Sequence, residues 1–272
     1  MAPILNALKT TTRCLVISLG NQAPYYNTLH SAGHHALNAA VKHIRNQPAF
    51  TRLAWGKVKC LVSQGDNYTL IQSPTAMNVS GPFVKKAWDT FSQLHRDIEP
   101  THLRMVIVYD EMERAFGRVK LIDWNRSARG HNGLKSINSS LPSTAANGHF
   151  YRLGIGIDRP VSRDPNVVSK YVLGPFTPER QEILDYEVGP EVARMLEGLT
   201  SVWQRFADIR TPSVFEALDR DRIEAKKSVI EEAGRAKKAA KKEAWKAKRT
   251  ANQAENVKQE QIVDEMGDLG EK

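Results

Sequence analysis

Apolar runs that each end in a short polar island organise this chain. Over 13–19 nearly every position is apolar, which predicts a strand buried on both faces, and the run empties into Gly20-Asn21. A helix fits 31–46, with Ala32, Ala36, Leu37, Ala40 and Val41 on one stripe. Strands are expected over 53–62 and 68–72, on either side of the turn signal Gly65-Asp66-Asn67. Gly81-Pro82 opens a second helix that runs to about His95 and closes before Pro100. The most apolar strand, 103–109, is interrupted only by Arg104 and delivers Asp110 to its end. A strand over 117–122, a polar loop reaching Gly133, a helix over 134–141 and a strand over 150–157 follow. Thr177-Pro178-Glu179 sets a capping hydroxyl, a first-turn proline and an acid in helix-starting order. That helix is expected to break or bend at Gly189-Pro190 and resume to Ala207.

Strands that alternate with helices predict an α/β fold, a single-domain three-layer sandwich whose twisted sheet is mixed because of the hairpin. The organisation expected is a flexible start (1–13), one α/β domain (14–215) and a Lys/Ala/Glu-rich tail (216–272) that is extended or partly helical. With 272 residues, 41% of them apolar, the body can build an ordinary core. Net charge is +9, and the segment from Asp219 holds fourteen basic against twelve acidic residues, so most of the surplus sits on the body. Such a surplus favours polyanions, RNA or DNA first. Cys14 and Cys60 lie in apolar strands, which argues against a disulfide framework and for a reducing compartment. No run is long and apolar enough to span a bilayer, so an intracellular protein without integral membrane contact is expected. Lys9, Arg13 and three threonines without an acid fit a minimal organelle-targeting start or a frayed terminus, leaving cytoplasm and mitochondrion both open.

The islands carry the chemistry. His30, beside the small residues Ser31-Ala32-Gly33, can take a proton from water if its other ring nitrogen is held, and Asp110 at the mouth of the central strand is the natural holder. Asn21, Asn78 and Asn132 bring carboxamides to successive strand ends, where they can bind a peptide bond and a developing oxyanion. Taken singly, each of these residues is more commonly a cap, a surface pair or a turn former; their joint occurrence points to hydrolysis of an acyl bond. Rival motifs fail: no cysteine pair has metal spacing, no Glu stands correctly between His30 and His34 for a zinc helix, and no Gly-x-Ser-x-Gly elbow exists. The glycines around Lys135 are wrongly spaced for a phosphate loop. His34, His35, His43, His95, His102 and His149 read as exposed or partly packed residues without a role.

In this order the islands Gly20-Asn21, His30 with Ala32-Gly33, Met77-Asn78-Val79-Ser80-Gly81, Asp110-Glu111 and Gly130-His131-Asn132-Gly133-Leu134-Lys135 resemble the bacterial-type peptidyl-tRNA hydrolases. Residues 150–157 and Val172-Leu173-Gly174 extend the likeness, which covers roughly 14–207. The resemblance implies cleavage of the ester between a peptide and the terminal ribose of tRNA, with His30 as base, Asp110 as its partner and Asn21, Asn78 and Asn132 as amides for the peptidyl end and water. Tyr26 and His131 are counted with them as substrate contacts. No metal and no organic cofactor is implied, and a monomer is expected. Lys120, Arg126, Arg129, Lys135 and Arg152 surround the third and fourth islands and are expected to clasp tRNA phosphates. In the tail, 235–249 holds eight basic residues against Glu243 alone, with Trp245 available to stack; it is either a nonspecific arm for RNA or the ribosome, or a solubilising helix. The chain departs from the family at Gln22-Ala23, at Leu29 and Ser31 beside the histidine, and in a longer loop over 120–130 that carries Asp123 and Trp124. Those departures leave a second expectation, a catalytically weak RNA-binding relative acting in splicing or ribosome assembly.

Overall fold

The computed structural model describes residues 8–141 and 149–205. Part of the expected flexible start, the helix end at Ala207 and the whole tail of 216–272, with its basic arm and Trp245, lie outside the described residues.

Seven strands form one sheet: β1 (Arg13–Ser18), β2 (Thr51–Trp55), β3 (Val58–Gln64), β4 (Tyr68–Gln72), β5 (Leu103–Glu111), β6 (Val119–Asp123) and β7 (Phe150–Gly156). Their order is β2-β3-β4-β1-β5-β7-β6. The inner four, β4, β1, β5 and β7, run parallel, whereas β3, β2 and β6 join as antiparallel neighbours. The sheet is therefore mixed, as the expected hairpin requires. Parallel strands need cover on both faces, which is why β1 and β5 are almost entirely apolar. Helices α1 (Ala32–Ala40) and α6 (Gly189–Arg205) cover one face over Cys14, Val16, Val106 and Val108; α2 (Ser80–Leu94) and α3 (Asn132–Ser140) cover the other over Leu15, Ile17, Met105 and Ile107. Each such buried Leu or Ile contributes on the order of 2 kcal/mol. Short helices α4 (Pro165–Val172) and α5 (Pro178–Ile183) follow β7. No helix among the described residues is long and apolar enough to cross a membrane.

Four local expectations are corrected. The strand read as 53–62 is two strands, because Gly56 takes φ +64 and turns the chain in a two-residue loop between Trp55 and Val58. The first helix stops at Ala40 rather than Asn46; its exit tightens to bonds such as His43 N–H to Ala40 O, and Asn46 adopts φ +56 ahead of Pro48. Helix α4 was not expected at all, although Asp164 caps it by accepting from Asn166 and Val167 N–H, with Pro165 in its first turn. At Gly189-Pro190 the helix does not break; Pro190 lacks an N–H, and the preceding turn, Leu184–Val188, widens to a π turn.

His34 is not a partly exposed helix residue but is 2% exposed, its Nδ1 paired with Ser18 Oγ at 2.8 Å. Burial, with His35 adding to it, pushes its pKa down to about 3. An imidazole held neutral in the fold but free to protonate when unfolded stabilises fully above pH 6.5 and progressively less as pH falls toward 3. The expected outcome is that His34→Gln flattens the stability-against-pH curve across that interval in denaturant titrations. A curve as steep as that of the parent would place the acid lability elsewhere.

Candidate active site

Because β1, β4 and β5 are parallel neighbours, the loops leaving their carboxyl ends meet at one end of the sheet. Asn21 leaves β1, Asn78 sits in the 3-10 turn Met77–Val79 after β4, and Asp110 lies near the end of β5. His30 occupies the 3-10 turn Leu29–Ser31 that leads into α1. What brings that turn so close is Gly33: a Cβ there would stand 2.5 Å from Val108 O and 2.6 Å from Leu19 O, so only glycine lets α1 rest on the ends of β1 and β5. Gly33→Ala is expected to cost about 1–3 kcal/mol in urea unfolding and to lower activity with it, since both contacts are backbone that cannot swing aside. Unchanged stability would show that the helix seat can yield.

Asp110, 3% exposed, holds two imidazoles. His30 Nδ1 lies 2.9 Å from both of its carboxylate oxygens, and His131 Nε2 lies 2.9 Å from Oδ1. His131 Nδ1 accepts the Leu134 N–H at 3.2 Å as the cap of α3, so its proton sits on Nε2 and is donated to Asp110. The carboxylate likewise accepts from His30 Nδ1–H, which leaves His30 Nε2 as a bare lone pair. Burial opposes ionisation of Asp110, yet the two imidazoles hold its carboxyl well below the usual carboxylate range. Burial alone would pull His30 down, but the charge and hydrogen bond of Asp110 outweigh it and raise its pKa above 6.5.

These residues face a cavity of about 430 Å³. Its polar end is formed by Asn21, Asn78, His30, Asp110 and Asn132, and its far wall by Met112, Val168, Val172 and Leu173. Asn21 Oδ1 accepts the Met77 N–H at 3.1 Å, while its own N–H is held by Ser31 Oγ at 2.9 Å. Ser31 thus ties the histidine turn to the first amide's residue. Asn78 and Asn132 are exposed within the cavity wall. The apolar wall of α4 and the anchoring role of Ser31 were missed by sequence reasoning; Asp164-Pro165 was the signal that could have located the first.

The structure brings all three asparagines, His30, Asp110 and His131 to this cavity, but not Tyr26. That residue is corrected as a substrate contact: its hydroxyl turns to Gln72 Oε1 at 3.4 Å and its ring packs on His34 and His35, away from the cavity lining. Arg152 is corrected as a phosphate ligand. It is 1% exposed, and its guanidinium donates inward to the carbonyls of Asp123 and Arg126, pinning the long loop from beneath. Trp124 adds a second anchor, edge-on to Phe150. Lys120, Arg126, Arg129 and Lys135 are exposed and belong to no salt bridge among the described residues; Arg129 reaches the cavity wall.

Among the described residues, His30, Asp110 and His131 are the group whose donor atoms could gather a metal, all within 4.8 Å. Their facing atoms are already bonded to one another, and a cation would have to displace both ring protons.

A model of the peptidyl-tRNA hydrolase family matches residues 15–212. The chain belongs to the peptidyl-tRNA hydrolase family. Among relatives in this family, the peptidyl-tRNA hydrolase of Synechococcus sp. (strain JA-3-3Ab) is 31% identical over 211 residues, covering 76% of this chain and 86% of its own length. The Saccharomyces cerevisiae peptidyl-tRNA hydrolase is 32% identical over 192 residues, covering 68% and 95%. The crystal structure of the Acinetobacter baumannii peptidyl-tRNA hydrolase shares the fold with a TM-score of 0.51 at 24% identity, over 78% of this chain and 95% of that one.

Proposed function

We propose that this chain hydrolyses the ester joining a peptidyl, or N-blocked aminoacyl, group to the terminal ribose of tRNA. The observation that carries the reading is His30, fixed through Nδ1 by Asp110 and open through Nε2 to a cavity ringed by three carboxamides. His30 Nε2 takes a proton from water as the water oxygen bonds to the ester carbonyl carbon. The carbonyl oxygen becomes an oxyanion, for which the Asn21, Asn78 and Asn132 amides in the cavity lining can serve as donors. As the carbonyl reforms, the bond to the ribose oxygen breaks and the proton on Nε2 passes to that oxygen, releasing tRNA and a free carboxylate. Chain length is accommodated by the apolar wall of α4, which suits peptide side chains, while Arg126, Arg129 and Lys135 suit phosphates.

Action as a monomer is part of the same reading. Peptidyl-tRNA arises wherever ribosomes translate, so the cytoplasm and the mitochondrial interior are the compartments that fit; a ribosome contact through 235–249 is part of the same reading. The deciding experiment gives N-blocked aminoacyl-tRNA to a purified, chelator-treated sample and measures free tRNA. Turnover that survives chelation is the expected result. Binding of tRNA without release overturns the hydrolase reading.

A further inference from the structure

The chain holds no aspartate or glutamate before Asp66, whereas five lysines and arginines fall between Lys42 and Lys59. The fold concentrates part of this one-sided charge beside the catalytic end of the sheet. In the antiparallel register Leu61 stands opposite Gln72, so the start of β3 and the β2–β3 turn project past the carboxyl end of β4, the end from which Asn78 departs. Lys57 sits in that turn and Lys59 just inside β3, both exposed. The turn lies against α2: a Cβ on Gly56 would stand 3.3 Å from Lys86 Cε. Lys85 precedes Lys86 on the same helix and is paired with Asp89 at 2.7 Å; Lys57, Lys59 and Lys86 enter no salt bridge among the described residues. Helix α2 in turn rests on α3 where Gly81 N–H donates to Ser136 Oγ at 2.9 Å, and Lys135 is the neighbour of that serine.

A run of cations thus leads from Arg129 at the cavity, by way of Lys135 and the α3–α2 junction, to Lys86, Lys57 and Lys59 at the far edge of the sheet. Two strand spacings and the first turns of α2 place its end roughly 10–15 Å from the amide-lined cavity. That separation lies beyond the terminal nucleotide whose ester is cut and is reached by phosphates farther back along the RNA, toward its base-paired stem. We propose that the β2–β3 turn, with Lys57, Lys59 and Lys86, is a second phosphate-binding surface that holds the RNA duplex of the substrate on the side of the site opposite Lys120. The inference rests on the hydrolase reading for its ligand, and unpaired cations at the site's own end, Lys57 and Lys59 from the acid-free segment with Lys86 beside them, are what favour RNA.

The test compares Lys57→Glu/Lys59→Glu with the parent and with Lys42→Glu/Arg45→Glu, a charge-matched control at the opposite end of the sheet. Three readouts are taken on the full chain: KM and kcat on N-blocked aminoacyl-tRNA, the same constants on a blocked aminoacyl ester of the terminal trinucleotide, and equilibrium binding of deacylated tRNA against salt. The expected result is a KM for the full-length substrate raised about tenfold, a log–log salt slope flatter by about 1 to 2, and unchanged constants on the trinucleotide ester. The control changes none of these beyond a small uniform shift. An unchanged salt slope and KM for tRNA overturn the proposal, and so does an equal loss in the control. Should the parent hydrolyse neither ester, the hydrolase reading fails while the binding measurement still decides whether this surface holds RNA.

Discussion

His30→Ala is expected to lower kcat for release of tRNA by about 10²–10⁴ with folding intact, the range in which a positioned general base contributes. His30 is the base because its Nδ1 is occupied by Asp110 and its Nε2 faces the cavity, whereas His131 has its Nε2 proton committed to the same carboxylate and its Nδ1 to α3. The loss should fall on kcat more than on KM, since the amides and cations that would hold substrate are untouched. Circular dichroism and thermal melting check the fold; the side chain is half-buried in a turn, so its removal leaves the two layers intact. Near-parental turnover would mean that water is activated elsewhere, and the assignment would collapse.

Asp110→Asn carries the second large effect, with two signatures. One is a fall in kcat on the order of 10²-fold or more, because a carboxamide offers one acceptor and one donor to two N–H groups and so lets the His30 ring reverse its proton. The other is in the pH profile. In the parent the acidic limb of kcat/KM is expected above 6.5, because the charge and hydrogen bond of Asp110 raise the His30 pKa against burial. Without that charge burial alone acts, and the limb of the variant moves to lower pH, below 6.5. Denaturant titration should also show a loss of about 1–3 kcal/mol for the N–H left unpaired. A limb that stays where it was, with the rate reduced, would mean that Asp110 acts on something other than the base.

The strands β1, β5 and β7 were legible because burial on both faces leaves a nearly continuous apolar run, and the islands were legible because they end those runs. The β2–β3 turn was not, since Trp55-Gly56-Lys57-Val58 keeps an apolar tone through a reversal that only the left-handed glycine makes. Arg152 misled for a related reason: a guanidinium in a strand reads as surface, but β7 lies between β5 and β6, and its cation satisfies carbonyls of the loop above. That His30 and Asp110 meet across eighty residues of sequence could be expected only from both standing at strand ends; no spacing along the chain encodes it. His131 was read as touching substrate, and nothing in the letters Gly-His-Asn-Gly reveals that both of its nitrogens are used internally.

That double use has a mechanical corollary. One ring bridges the first turn of α3 and the carboxylate that aims the base, so a helix twisted about its axis either drags Asp110 along or snaps a bond. Alignment of the proton acceptor is thereby geared to the seating of an outer helix, and slack introduced at either end of the linkage is felt at the other.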